Sequence, residues 1–167
     1  LVGEMNAGQV NTIIIVGGNP MYSAPADLKF ADAFRKVKVR IHLGEYEDET
    51  AAVCHWHIPR AMALESWGDI RAFDGTVTVQ QPLIQPLYEG RSLLEVIGVL
   101  LDKGGRPVYD VVKEYWQQTL NNPADFGNTY QKVIHDGVMP NTALPAKTVA
   151  VRKDFATAVP AAKADSG

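Results

Sequence analysis

Residues 49–59, ETAAVCHWHIP, hold the chain's one cysteine, two of its four histidines and one of its three tryptophans. As a β-strand, side chains alternate with period two, so His55 and His57 share one face while Cys54 and Trp56 share the other. A His-x-His pair can share a metal ion, but a site needs three or four ligands, and the remaining candidates are His42, His135 and scattered carboxylates. The competing reading is packed sheet, with the histidines hydrogen-bonded at its edge and Cys54 filling core as a small apolar group. Catalytic use of Cys54 would need a base or helix terminus to generate the thiolate.

Two other stretches carry chemistry. Gly17, Gly18 and Asn19 in GGNP close an apolar β-branched run, IIIV. At the carboxyl end of a parallel strand, glycines let backbone approach a ligand and free N–H groups meet phosphate. The same four residues also make a good turn without any ligand, and they lack G-x-G-x-x-G spacing. The acidic run GEYEDET, residues 44–50, offers carboxylates to a divalent cation but not at EF-hand spacing, and such a run also serves as a solvated helix start.

These residues depend on the elements that carry them. The β-branched run predicts a first strand over 12–16. Leu28, Ala31, Phe34 and Val37 recur at helical spacing, and KVRIHLG predicts a second strand ending at Gly44. Strand, helix, strand in this span is a βαβ unit with parallel strands. A helical turn near 47–52 and a third strand over 53–59 follow. Residues 60–75 read as a surface excursion, and TVTVQQP as a further strand. Ser92 and Glu95 form a capping box before a helix over 92–102. Val108, Val111, Val112, Tyr115 and Trp116 mark a second helix, and Asn122-Pro123 opens a third through Phe126, Tyr130, Val133 and Ile134. From Gly137 the chain reads as extended. Trp67, Phe73, Tyr88 and Trp116 are candidate interface aromatics.

The totals exclude several classes. The chain of 167 residues fits one domain, with 46% apolar and 21% charged residues, close to ordinary globular usage. No apolar run is long enough to span a bilayer, which takes about 20 residues. A net charge of −3 with dispersed Lys and Arg gives no footprint for nucleic acid. A single cysteine rules out an internal disulfide framework and an iron–sulfur cluster held by this stretch alone. The opening LVGEMNAG reads as mid-helix, so the expectation is a domain over 1–150 excised from a longer chain, with an extended or disordered tail over 151–167.

The order of the pieces, IIIVGGNP, FRKVKVRIHLGEYEDETA, CHWHIP, then LESWGDIRAFDGTVTVQQPLIQPLYEGRSLLEVIGVLL, resembles the α/β domain of molybdopterin oxidoreductases of the dimethyl sulfoxide reductase family over residues 10–102. NPMYSAPADLKF, HLGEYEDETAAVCHWHIPRAMALESWGDIRAFDGTV and QPLIQPLYEG resemble most the branch found as the iron–sulfur, molybdopterin-like subunit of alternative complex III, a quinol:electron-acceptor oxidoreductase. The resemblance implies an α/β three-layer sandwich, Rossmann-like, with a mostly parallel sheet and helices on both faces. It also implies that an Asp gripping the guanosine of a pterin dinucleotide is replaced by Gly44, and a second Asp by His55.

The expected function is therefore a non-catalytic scaffold domain in a multi-subunit, quinol-oxidising electron-transfer complex. Gly17, Gly18, Asn19, Gly44 and Thr50 would be vestiges of the dinucleotide site. No cofactor is expected in this stretch, and iron–sulfur clusters are expected elsewhere in the full chain. Its partners would be other domains and subunits of a membrane complex at the periplasmic face, without direct membrane insertion. The alternative is the domain of an active enzyme that binds molybdopterin guanine dinucleotide through Gly17, Gly18, Asn19 and Thr50. A third reading is a stand-alone nucleotide-binding module.

Overall fold

The computed structural model describes residues 1–121 and 124–154. Its first half is built on the β-branched segments. β1 (Thr12–Val16), β2 (Val39–Gly44) and β3 (Trp56–Pro59) form a parallel sheet in that order. Val16 stands opposite Leu43, and Gly44 opposite Pro59, so the three carboxyl ends finish together. One face is covered by α1 (Val2–Asn6) and α3 (Phe30–Arg35): Met5, Ala33, Phe34 and Val37 bury themselves against Ile13, with Val53 and Cys54 at the margin. The short α2 (Pro20–Ser23) follows β1 directly.

The helical stripe predicted from Leu28 to Val37 is broken at Lys29, whose φ of 46° ends a 3-10 turn and starts α3. Leu28 is consequently exposed. The third strand is shorter than expected. Residues 51–53 make a 3-10 turn and the ladder starts at Trp56, although the His55 N–H already donates to the Arg40 carbonyl at 2.8 Å.

The second half departs from the expectation of one mostly parallel sheet. β4 (Gly68–Arg71) lies inside the predicted excursion and pairs antiparallel with β5 (Val77–Gln80). β5 in turn pairs with β6 (Val138–Met139), giving a separate antiparallel sheet. The cause is the connection. Parallel neighbours need a crossover of roughly a dozen residues or more, whereas β4 and β5 are joined by a tight turn in which Gly75 adopts φ 91° and Asp74 Oδ1 accepts the Thr76 N–H.

α5 (Val108–Thr119) and α6 (Phe126–Asp136) supply this sheet's core, burying Val112, Trp116, Phe126, Tyr130 and Val133 with Val77, Val79 and Met139. Asn122-Pro123, the predicted opening of α6, lies outside the described residues. The helix ends at Gly137, in the left-handed region that favours glycine. Residues 155–167, most of the predicted tail, are also outside the described residues.

α4 (Leu93–Leu100) carries the predicted capping box: Ser92 Oγ accepts the Glu95 N–H and the Glu95 carboxylate accepts the Ser92 N–H at 2.7 Å. Although its residues are almost all apolar, none is buried. Between α4 and the second face of the parallel sheet, formed by Ile14, Ile41 and Ile58, lies an apolar cavity of about 650 Å³. The candidate aromatics divide. Trp116 is core, donating through Nε1 to Asp69 at 2.9 Å, and Trp67 packs edge-on to Tyr109, while Phe73 and Tyr88 are exposed.

Candidate functional site

The carboxyl ends of parallel strands are where open α/β sheets accept ligands, and here they frame a hollow of about 270 Å³. Gly17, Gly18 and Asn19 after β1, Gly44, Glu45 and Asp48 after β2, and Arg60 after β3 line it. Gly17 and Gly18 have φ of 61° and 70°, which accounts for glycine at both positions. The Gly17 N–H donates to the Leu43 carbonyl at 2.8 Å, and the Arg60 N–H to the Gly44 carbonyl at 2.9 Å, locking the three loops to one another.

Thr50 lies beneath these loops, fully buried, and does not line the hollow. Its hydroxyl donates to Asn19 Oδ1 at 2.8 Å and accepts the Met21 N–H at 3.1 Å. Asn19 Nδ2 donates to the Glu49 carboxylate. The amide of Asn19 is therefore used inside the protein, tying the start of α2 to the acidic loop. That is a positioning network.

The two strand histidines part company. His55 Nδ1 accepts the Arg40 N–H at 3.1 Å. His57 turns to His42 on the neighbouring strand, with the two Nδ1 atoms 3.0 Å apart. Among the described residues no group of three or more His, Cys, Asp or Glu side chains could hold a metal ion. Cys54 is half-buried, and burial, only partly offset by Arg40, pushes its thiol up from the ordinary range, away from the reactive thiolate.

His42 is the residue that the sequence reading undervalued, weighing it only as a spare metal ligand. It is 1% exposed, and its Nε2 has no hydrogen-bond partner. Its ring lies against Gly44 on the same strand face. A Cβ at Gly44 would stand 2.3 Å from the imidazole Cε1 and 2.6 Å from Nε2, so any side chain there would require the His42 ring to shift. The signal was available: residues i and i+2 of a strand share a face, and His-Leu-Gly leaves a ring-sized gap two residues after the histidine. Burial lowers the His42 pKa; the Asp48 charge opposes this, His57 adds to it, and the Gly18 backbone opposes it least. Arg60, also missed, has no ion pair or side-chain hydrogen bond among the described residues.

Beyond Arg60 and Tyr46 the hollow adjoins a second cleft of about 560 Å³, whose walls include Glu45, Glu47, His57, Glu65 and Tyr88. Glu65 pins this wall by accepting the Met62 and Leu87 N–H groups at 2.9 and 3.2 Å.

The position that the resemblance matches to the guanosine grip is Gly44, and the space a side chain would take there is filled by the His42 ring. The Asn19 amide and Thr50 hydroxyl are already engaged.

No protein-family model matches the chain. A curated protein that it is similar to is the menaquinone reductase, molybdopterin-binding-like subunit, of Nitratidesulfovibrio vulgaris, with 29% identity over 110 residues, 60% of this chain. The match spans 16% of that protein's own length. The likeness supports at most a molybdopterin-oxidoreductase-like relationship.

Proposed function

We propose that this chain is a non-catalytic scaffold domain of a quinone-linked electron-transfer complex, of the alternative complex III kind. It derives from a dinucleotide-binding domain and has lost the means to hold that ligand. The observation that carries this reading is the buried His42 ring packed against Gly44, in the space where a gripping carboxylate would stand. The similarity to a subunit named molybdopterin-binding-like supports it. In this reading the parallel sheet belongs to a Rossmann-like, three-layer arrangement in the longer protein. Iron–sulfur clusters sit in other parts of that protein, and partner subunits hold the assembly at the periplasmic face of the membrane. Among the described residues no helix is long and apolar enough to cross a bilayer.

The alternative is a working molybdopterin-dependent oxidoreductase. The hollow of about 270 Å³ between the two positive-φ glycines and Gly44 favours it. Metal and pterin analysis of the purified full-length protein separates the two readings. The scaffold reading expects neither molybdenum nor pterin above background, and one molybdenum per chain overturns it.

A further inference from the structure

The two outer edges of the parallel sheet are built differently. β3 has the marks of a natural edge: it is short, it ends in Pro59, which has no N–H to offer, and its end is taken up by the segment at Arg91. The Arg91 N–H donates to the Pro59 carbonyl at 2.8 Å, and the Ala61 N–H to the Arg91 carbonyl at 3.0 Å. β1 has none of these devices. Its sequence TIIIV carries no charge, proline or bulge, and it is the near-continuous β-branched run of a strand inside a parallel sheet.

The unpaired groups on β1 can be named. The Val39 N–H donates to the Asn11 carbonyl at 3.0 Å and the Gly17 N–H to the Leu43 carbonyl at 2.8 Å, and the register between them is unbroken. Backbone groups alternate in direction along a strand, so Ile13 and Ile15 face β2 while the N–H and C=O groups of Thr12, Ile14 and Val16 face outward. No strand among the described residues meets them. The second, independent observation is the hand of the crossovers. β1, β2 and β3 succeed one another in a single direction, and α3 and the 3-10 turn at 51–53 lie between them on one face, where Phe34 and Val53 share a core. α1, which leads into β1, packs in that same core through Val2 and Met5. Right-handed parallel crossovers on one face all advance across the sheet in the same sense. A strand that α1 joined to β1 would therefore lie on the side of β1 away from β2.

We propose that the outer edge of β1 is an interaction surface completed by a parallel strand from the sequence preceding Leu1 in the longer protein, paired with the outward groups of Thr12, Ile14 and Val16. Chain length is available for it: the match to the menaquinone reductase subunit spans 16% of that protein. The added strand is about five residues long and apolar on both faces. One face extends the core of Met5 and Ile13, and the other continues the wall that Ile14, Ile41 and Ile58 present to the cavity beside α4. This rests on the reading of the chain as part of a longer scaffold and names how it is tied to the rest. It fails separately from that reading, because molybdenum and pterin content do not bear on it.

Amide hydrogen exchange in the purified full-length protein, resolved to single residues by fragmentation mass spectrometry and corrected for intrinsic rates, reads this edge directly. The outward amides of Ile14 and Val16 should exchange within about tenfold of those of Ile13 and Ile15, which are bonded to β2. Exchange more than about tenfold faster at Ile14 and Val16 overturns the proposal. The supplier of the strand is read by placing the photocrosslinker p-benzoylphenylalanine at Thr12, and in a second variant at Val16, both exposed positions, in the full-length protein and sequencing the linked peptides. Links should join both positions to one segment preceding Leu1 in the same chain. Links to a second copy, to a partner subunit or to sequence following Gly167 overturn the proposal, as does the absence of links to preceding residues from both folded variants. The exchange measurement is made on the unaltered protein and stands whether or not either variant folds.

Discussion

The two halves of this chain close their apolar cores to different degrees, while each buries one polar atom without a partner among the described residues, His42 Nε2 in one and the Tyr130 hydroxyl in the other. Around the antiparallel sheet, α5 and α6 bury Val77, Val79 and Met139, and the one deeply placed indole finds a carboxylate: Trp116 donates to Asp69 and lies under Arg71, whose guanidinium carbon is 5.5 Å from the ring centroid. Around the parallel sheet one face is packed and the other looks across a cavity to an apolar helix with no buried residue. Among the described residues the strand tips there hold an imidazole whose Nε2 has no partner, and Arg60, Glu45 and Glu47 without an ion pair or side-chain hydrogen bond. The first half has the more closed apolar core, and the second leaves an apolar face and several charged groups open among the described residues.

The sharpest way to break this comparison is to remove a side chain from the closed half. Trp116→Ala should cost about 3–5 kcal/mol, because it opens a cavity in the larger core, strands Asp69 and removes the ring under Arg71. Denaturant unfolding measures it. A loss under 1 kcal/mol would mean that the antiparallel half is not the better-packed one.

A smaller effect is expected at the strand tips. Gly44→Asp, which restores an acid at the position matched to the guanosine grip, drives a Cβ into the His42 ring and should cost about 1–3 kcal/mol, the usual range for overpacking. His42→Ala creates the space that the new side chain needs, so the double variant should be more stable than the sum of the single losses predicts. A double-mutant cycle from the same unfolding curves reads this coupling directly. Additive losses would mean that the imidazole is not what fills the site.

Much of this was legible in the residues. β1 came from its β-branched run, the parallel βαβ order from the spacing of hydrophobic segments, and α4 from a capping box that the structure reproduces bond for bond. What escaped depended on long-range partners. Gly68–Arg71 has weak strand chemistry of its own and becomes a strand because Val77–Gln80 folds back on it. Val138–Met139 is too short to show a period and is defined by pairing to β5. At the site, the alternation rule assumed a strand running through His55, but the ladder starts at Trp56, and the rule said nothing of partners. His57 found His42 across a strand boundary and His55 found a backbone N–H. The glycine at 44 was visible as a lost acid; that its emptiness is occupied required knowing where the His42 ring turns.

The last prediction is the smallest and concerns acid. The folded-state pKa of His42 is lowered, by burial first and by His57 in the same direction, against Asp48 and the Gly18 backbone. A lowered folded-state pKa means that below the ordinary histidine value, about 6.5, the unfolded chain binds the proton more readily than the native one. Stability is therefore full at neutral and higher pH, falls as pH drops through that value, and levels off below the lowered one. His42→Gln keeps a polar side chain of similar reach but cannot titrate, so its unfolding free energy should lack this component of the decline below the ordinary histidine value. Urea unfolding of both proteins at a series of pH values measures the difference in slope. Parallel pH profiles would show that the native fold accepts a charged imidazole at the tip of β2 without penalty, and would erase at that point the contrast between the open half and the closed one.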